Sequence, residues 1–176
     1  MGTVPVIPTF TTNENLLSSD MNKIAAALQF LLYNKPLCKA HSTIIQTLTS
    51  QVTTVINLDT TDVDTDGGRN GVGSNTDRYV ARTRGWYMVA ATVGYAAPAA
   101  GSRFAIIMVN GVEQNGYSSA YTTGSVNAGI NVSGLVRLNV GDYLQIAGFQ
   151  DSGGSINTAV SPTYQAASLS VQFVLA

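Results

Sequence analysis

"RFAIIMVNGV" (103–112) reads as the first strand and turn of a β-hairpin. Asn110 and Gly111 both tolerate the positive φ of a two-residue hairpin turn, and a β-rich apolar run leads into them. The same period-two pattern spreads outward on both sides. Candidate strands are Ser42 to Leu48, Val52 to Leu58, Arg78 to Thr83, Trp86 to Ala96, Arg103 to Val109, Tyr117 to Thr123, Ile130 to Leu138, Tyr143 to Gln150 and Ala167 to Leu175. Gly, Asn, Asp and Ser clusters such as "NVGD" and "DSGGS" separate them, and these are turn chemistries. Short strands at this spacing predict an all-β fold, a β-sandwich or jelly roll.

The composition excludes several classes of function. The 176 residues suit one domain with a core and a short appendage, and only 11% are charged, for a net charge of -1. No basic footprint for nucleic acid results. One cysteine, Cys38, and one histidine, His41, cannot make a disulfide or the usual zinc site, so Cys38 is expected buried and His41 exposed or at a strand edge. The start "MGTVPVIPTF" has neither the basic nor the apolar part of an export signal, and Val6 replaces the Ser or Thr of a myristoylation motif. The apolar run from Ile24 to Tyr33 is too short to cross a bilayer, so no membrane partner is expected.

Residues 1–36 form a unit of their own in this reading, an extended arm followed by one helix, with the β domain occupying 37–176. Ser18 or Ser19 is expected to cap the helix, Asp20 sits in its first turn, and Asn34-Lys35-Pro36 stops it. Leu17, Met21, Ile24, Leu28 and Leu31 recur at the a/d spacing of a coiled coil over about two heptads. Such a seam needs a partner surface, either the β domain itself or another protein.

Charge is unevenly placed. Nine of the nineteen formal charges lie in residues 59–84, whereas from Gly85 onward there are only Arg103, Glu113, Arg137, Asp142 and Asp151. Sheet faces so poor in charge are easily explained if other copies cover them.

"GWYMVAATVGY" (85–95), "RFAIIMVNGV" (103–112), "LNVGDYLQIAGFQDSGG" (138–154) and "SLSVQFVLA" (168–176) resemble the jelly-roll heads of complement C1q and the tumour necrosis factors. Gly85 with Tyr87, Asn110 with Gly111, and Gly141 with Asp142 occupy the motif places of that family, while Ser170, Val171 and Gln172 stand where its last strand often has a glycine. "PTFTTNENLLSSDMNKIAAALQFLLYNKP" (8–36) is similar to the opening of small head- and tail-associated bacteriophage proteins. The resemblance implies a homotrimeric structural virion protein, made in the host bacterial cytoplasm and docked on capsid or tail proteins through its N-terminal segment. The alternative it leaves open is a receptor-binding head that recognises a host-surface glycan or protein through loops "AAPAAGS", "YTTGSVNAG" and "DSGGSIN".

Chemistry-bearing patterns are scarce. His41 lies far from any nucleophile turn, and Glu14 and Glu113 are the only glutamates, so no carboxylate pair of a glycosidase is visible and no enzymatic activity or cofactor is expected. "NGVGSN" (70–75) lacks the third glycine of a nucleotide loop, with Thr76 in its place. Trp86, Tyr87, Tyr95, Tyr117, Tyr121, Tyr143 and Phe149 could form a sugar-stacking platform, although their alternation favours core or trimer-axis packing. "DTTDVDTDGGRN" (59–70) places Asp62, Asp64, Asp66 and Gly67 at EF-hand positions, but Gly73 stands where the bidentate Glu belongs. A structural turn compensated by Arg69, Arg78, Arg82 and Arg84 is the expectation, with a weak calcium site at Asp62, Asp64 and Asp66, completed by Asp59 or Asp77, as the alternative.

Overall fold

In the computed structural model, which describes residues 4–9, 11, 17–69, 76–97, 99–160 and 166–176, helix α1 (Ser18–Gln29) runs into a π-helical turn (Phe30–Asn34). The strands that follow are β1 (Leu37–His41), β2 (Thr47–Leu48), β3 (Thr54–Val55), β4 (Thr60–Asp64), β5 (Tyr79–Val80), β6 (Gly85–Tyr95), β7 (Gly101–Val109), β8 (Val112–Thr122), β9 (Ala128–Leu138), β10 (Tyr143–Gln150), β11 (Ile156–Asn157) and β12 (Ser168–Leu175). They form two main antiparallel sheets, β4-β1-β12-β6-β9 and β3-β10-β7-β8, with β5 also on β10 and a small β2–β11 pair. This is a jelly-roll sandwich.

Period two builds the core. Tyr87, Val89, Ala91, Val93 and Tyr95 of β6 point inward with Leu169, Val171 and Phe173 of β12, and meet Ala105, Ile107, Leu144 and Ile146 from the facing sheet. The expected hairpin joins β7 to β8, with φ of 53° at Asn110 and 77° at Gly111 and Val109 opposite Val112. The two other motif places lock the same end of the sandwich. Asn110 Nδ2 donates to Asp142 Oδ1 at 2.9 Å, Asn139 N donates to Asp142 Oδ2 at 2.7 Å, and Tyr143 N donates to Asn110 Oδ1 at 3.0 Å. At Gly85 a Cβ would collide with the Leu175 carbonyl and the Phe173 ring, so only glycine lets β6 and β12 close there.

Several expectations are corrected. Neither Ser18 nor Ser19 caps the helix; its N-cap is Leu17, with no side-chain cap bond, while Asp20 does sit in the first turn. β1 was not among the expected strands, because its inward residues, Cys38 and Ala40, are small and its outward ones, Lys39 and His41, are polar. Ser42 to Leu48, Val52 to Leu58 and Arg78 to Thr83 each shrink to a two-residue strand; in the first two a side chain intercepts the backbone, since Gln46 Nε2 donates to Val55 O at 2.7 Å and Asn57 N donates to Gln46 Oε1 at 3.1 Å, while around the third the amides of Val80 and Ala81 turn to the carbonyls of Gly68 and Asp142 at 2.8 Å. Part of the aspartate stretch, read as a turn, is instead edge strand β4, paired with β1 across a bulge. Its Thr and Asp side chains guard a sheet edge, a common defence against edge-to-edge pairing.

Phe30 also crosses the boundary placed at residue 36. Buried in the main core, it stacks edge-on against Phe173 at 5.7 Å, and Phe173 stacks edge-on against Tyr87 at 5.4 Å. The last turn of the helical segment is therefore rooted in the sandwich.

Candidate functional site

Two ends of the sandwich differ in chemistry. At one end the helical segment enters: Leu37 pairs with Gln172 beside the Asn110 and Asp142 turns. At the other end three loops converge, since β6 ends at Tyr95 opposite Ala128, β7 starts at Gly101 opposite Thr122, and β10 ends at Gln150 opposite Arg103. These are the loops "AAPAAGS", "YTTGSVNAG" and "DSGGSIN".

Arg103 holds them. It is fully buried, and its guanidinium donates to the carbonyls of Ser102 (2.9 Å) and Ala99 while lying 5.8 Å from the Tyr95 ring centroid. Ser102 N donates to Asp151 Oδ1 at 2.6 Å, and Ala97 N donates to Asn127 Oδ1 at 3.0 Å, which ties the first loop to the other two. Gln150 adds bonds to the carbonyls of Leu48 and Gly154 at 3.1 and 2.8 Å. The backbone of this end is thus tied down, and Asp151, the carboxylate of these loops, is occupied by the Ser102 amide.

The seam residues fall on the far side of the helix from its anchor. Leu17, Met21, Leu28 and Leu31 are 61%, 52%, 52% and 59% exposed, and Ile24 is half-buried, whereas Ala27 and Phe30 are covered. The β domain does not supply the seam's partner surface.

Each aspartate of the 59–70 stretch has its own protein partner. Asp62 contacts Lys39 Nζ at 3.8 Å and His41 Nδ1 at 3.1 Å; Asp64 accepts from the amides of Gly68 and Arg69 at 3.1 and 2.8 Å; Asp66 Oδ2 accepts from the Tyr79 hydroxyl at 2.8 Å. Asp59 accepts from the Thr43 amide at 2.6 Å, and Asp77 pairs with Arg78 at 2.9 Å. No group of three metal-ligating side chains forms among the described residues. The arginines meet the expectation in part. Arg78 pairs directly with a carboxylate, Arg69 feels the charges of Asp64, Asp77 and Asp59 while donating to the carbonyls of Leu58 and Thr76 (3.2 Å), and Arg82 donates to that of Gly67 (3.3 Å). Glu14 and residues 70–75 lie outside the described residues.

Burial raises the Asp66 carboxyl above its ordinary value; the Tyr79 hydroxyl opposes this and the Asp64 charge adds to it. A raised folded-state value means stability that is present below the unfolded pKa, near 4, and is lost as pH rises through the folded value. Asp66→Asn keeps an acceptor for Tyr79 and removes the buried charge. The variant should melt about 3 °C higher than wild type at pH 7, a step of about 1 kcal/mol, with the gap closing toward pH 4. A melting curve series over that range checks it. Burial likewise pushes the Cys38 thiol up to about 12, which leaves it an inert core residue.

The aromatic residues divide as well. Tyr87 and Tyr95 are core, Trp86, Tyr143 and Phe149 are half-buried, and Tyr117 and Tyr121 project into solvent. Core packing therefore accounts for only part of the set.

No protein-family model matches the chain, and no curated protein matches it. Solved structures do. The globular domain of zebrafish complement 1qA superposes with a TM-score of 0.53 at 12% identity, covering 80% of this chain and 98% of that one. Murine APRIL gives 0.58 at 11% identity over 79% and 99%, and the Eiger TNF of S. frugiperda gives 0.53 at 11% over 81% and 95%. At these identities the likeness concerns the fold, and it establishes that this chain is a C1q/TNF-like jelly roll.

Proposed function

We propose that this chain is a homotrimeric structural protein of a bacteriophage particle, a non-enzymatic appendage that docks on capsid or tail proteins through residues 1–36. The observation that carries the reading is the helix seam: a heptad stripe left uncovered by its own domain, on a helix fastened to that domain by Phe30. An apolar stripe of this kind is a surface for other chains. The similarity of the N-terminal segment to phage virion proteins supplies the kind of partner.

The trimer is supported by the outward face of β12, β6 and β9. Met88, Ala90, Thr92, Ser170, Gln172, Val174 and Leu135 lie there, and Arg137 is the one formal charge those three strands carry. A ring of copies closes when such a face meets a different patch of the next copy.

Because Phe30 belongs to the core, deletion of residues 1–36 would damage the fold as well as the docking. Serine substitution at Leu17, Met21, Leu28 and Leu31 together is the cleaner test. These exposed positions should lower the melting temperature by no more than about 6 °C in total, each surface change being worth at most about 0.5 kcal/mol. Particle association, measured by co-sedimentation with phage lacking the protein, should be lost. Association at the wild-type level would sink the docking assignment.

A second reading, the receptor-binding head, is favoured by one observation. The three loops gather at the end away from the docking helix, where a host surface would be met. Its test is competition: purified protein should block phage adsorption.

A further inference from the structure

We infer that the trimer closes by setting the β8 edge of each copy against the β12-β6-β9 face of the next, with Tyr117 over a small-residue hollow of its neighbour and Glu113 paired to the neighbour's Arg137. This pairing presupposes the trimer and the docking end proposed above, and adds which surfaces meet and in what register.

The face and the edge are complementary in shape. On the outward face Ala90, Thr92, Asn131, Ser133, Ser168 and Ser170 line a hollow of about 340 Å³, all short side chains without charge. β8 is the last strand of the other sheet and carries Tyr117 and Tyr121, 69% and 72% exposed. In its own chain the Tyr117 ring leans on Phe104, 6.1 Å away on that other sheet, so the hollow is left for a second copy. A contact between two different surfaces of one chain is heterologous, and a rotation that closes turns it into a ring. Tyrosine is also favoured in the buried part of interfaces.

Symmetry sets the register. All three docking helices face the particle only if the three-fold axis runs from the docking end to the loop end, which is along the strands. Rotation about such an axis keeps every residue at its own level. Across β6 and β9 the levels are Trp86 with Arg137, Met88 with Leu135, Ala90 with Ser133 and Thr92 with Asn131. β8 is tied to the same scale: Glu113, Gln114, Gly116 and Tyr117 share a cleft with Ser133, while Gln114 and Gly116 share another with Leu135 and Arg137. Tyr117 of one copy therefore meets the next at the level of Ser133 and Ala90, where the hollow lies, and Glu113 meets it near Arg137.

Charge fits the same register. Glu113 is the one formal charge of β8, and Arg137 is the one that β12, β6 and β9 carry. Both are exposed, and among the described residues neither has an opposite charge as its partner. Two lone charges of opposite sign, at one level on the two surfaces, fix one alignment and penalise slipped ones.

Sedimentation equilibrium of the full chain tests this with a charge exchange. Glu113→Arg sets a like charge against Arg137 and should give a single-chain mass at a concentration where wild type is trimeric, while Glu113→Arg combined with Arg137→Glu should restore the trimer. Tyr117→Cys combined with Ser170→Cys should, on mild oxidation, give bands of two and three chains on a non-reducing gel. Ser170 is two strands in from the β9 edge, out of reach of Tyr117 in the same chain, and Cys38 is buried. A trimeric wild type overturns the register, and leaves the trimer standing, if Glu113→Arg keeps its mass, if the exchange fails to restore it, or if no disulfide forms between chains. A monomeric wild type overturns the trimer and the register together.

Discussion

Phe173→Ala should lower the melting temperature by about 10 °C, the effect of roughly 4 kcal/mol lost from a chain of this size. The ring is 3% exposed and stands between Phe30 and Tyr87, edge-on to both. Its removal opens a cavity at the closed end of the sandwich and takes away the surface on which the helical segment is anchored. Limited proteolysis should then cut in residues 30–36 while β6 and β9 stay protected. A variant that melts lower but keeps the helical segment protected would mean that Phe30 finds another seat, and that the anchor is broader than one ring.

Met88→Glu should convert the proposed trimer to monomers without unfolding the protein. Met88 is 47% exposed on β6 and lies opposite Leu135 on β9 and Gln172 on β12, in a face with no cation nearer along β6, β12 or β9 than Arg137. A carboxylate at each Met88 position would be buried in an interface where these strands carry only one formal charge, Arg137, and a buried charge without a full partner costs about 3–5 kcal/mol. Sedimentation equilibrium should report a single-chain mass, with the melting profile of a folded protein. A trimer unaffected by the substitution would move the interface off this face.

The long strands were legible because both faces of the sandwich write themselves into the chain. β6, β9 and β12 alternate strongly and β7 and β10, buried on both faces over much of their length, read as apolar runs, so the ends of all five lie within about two residues of those expected, the usual margin for an element boundary. The short ones were not. β1 hides behind Cys38 and Ala40, and β2 and β3 are limited by a Gln46 side chain that takes backbone partners, which no periodicity records. The spacing of the helix seam does not say which stripe the domain covers; that is decided by Phe30, one residue outside the heptad.

Arg103 has a consequence for how this protein can change. Its guanidinium addresses the carbonyls of Ala99 and Ser102 rather than any side chain, and the neighbouring ties of Asp151, Gln150 and Asn127 run to backbone amides and carbonyls as well. The scaffold therefore grips the path of the first loop, and of the other two loops it demands only Asp151 and Asn127. Apart from those two positions, a population of such proteins can rewrite what the far end displays without renegotiating how that end is built.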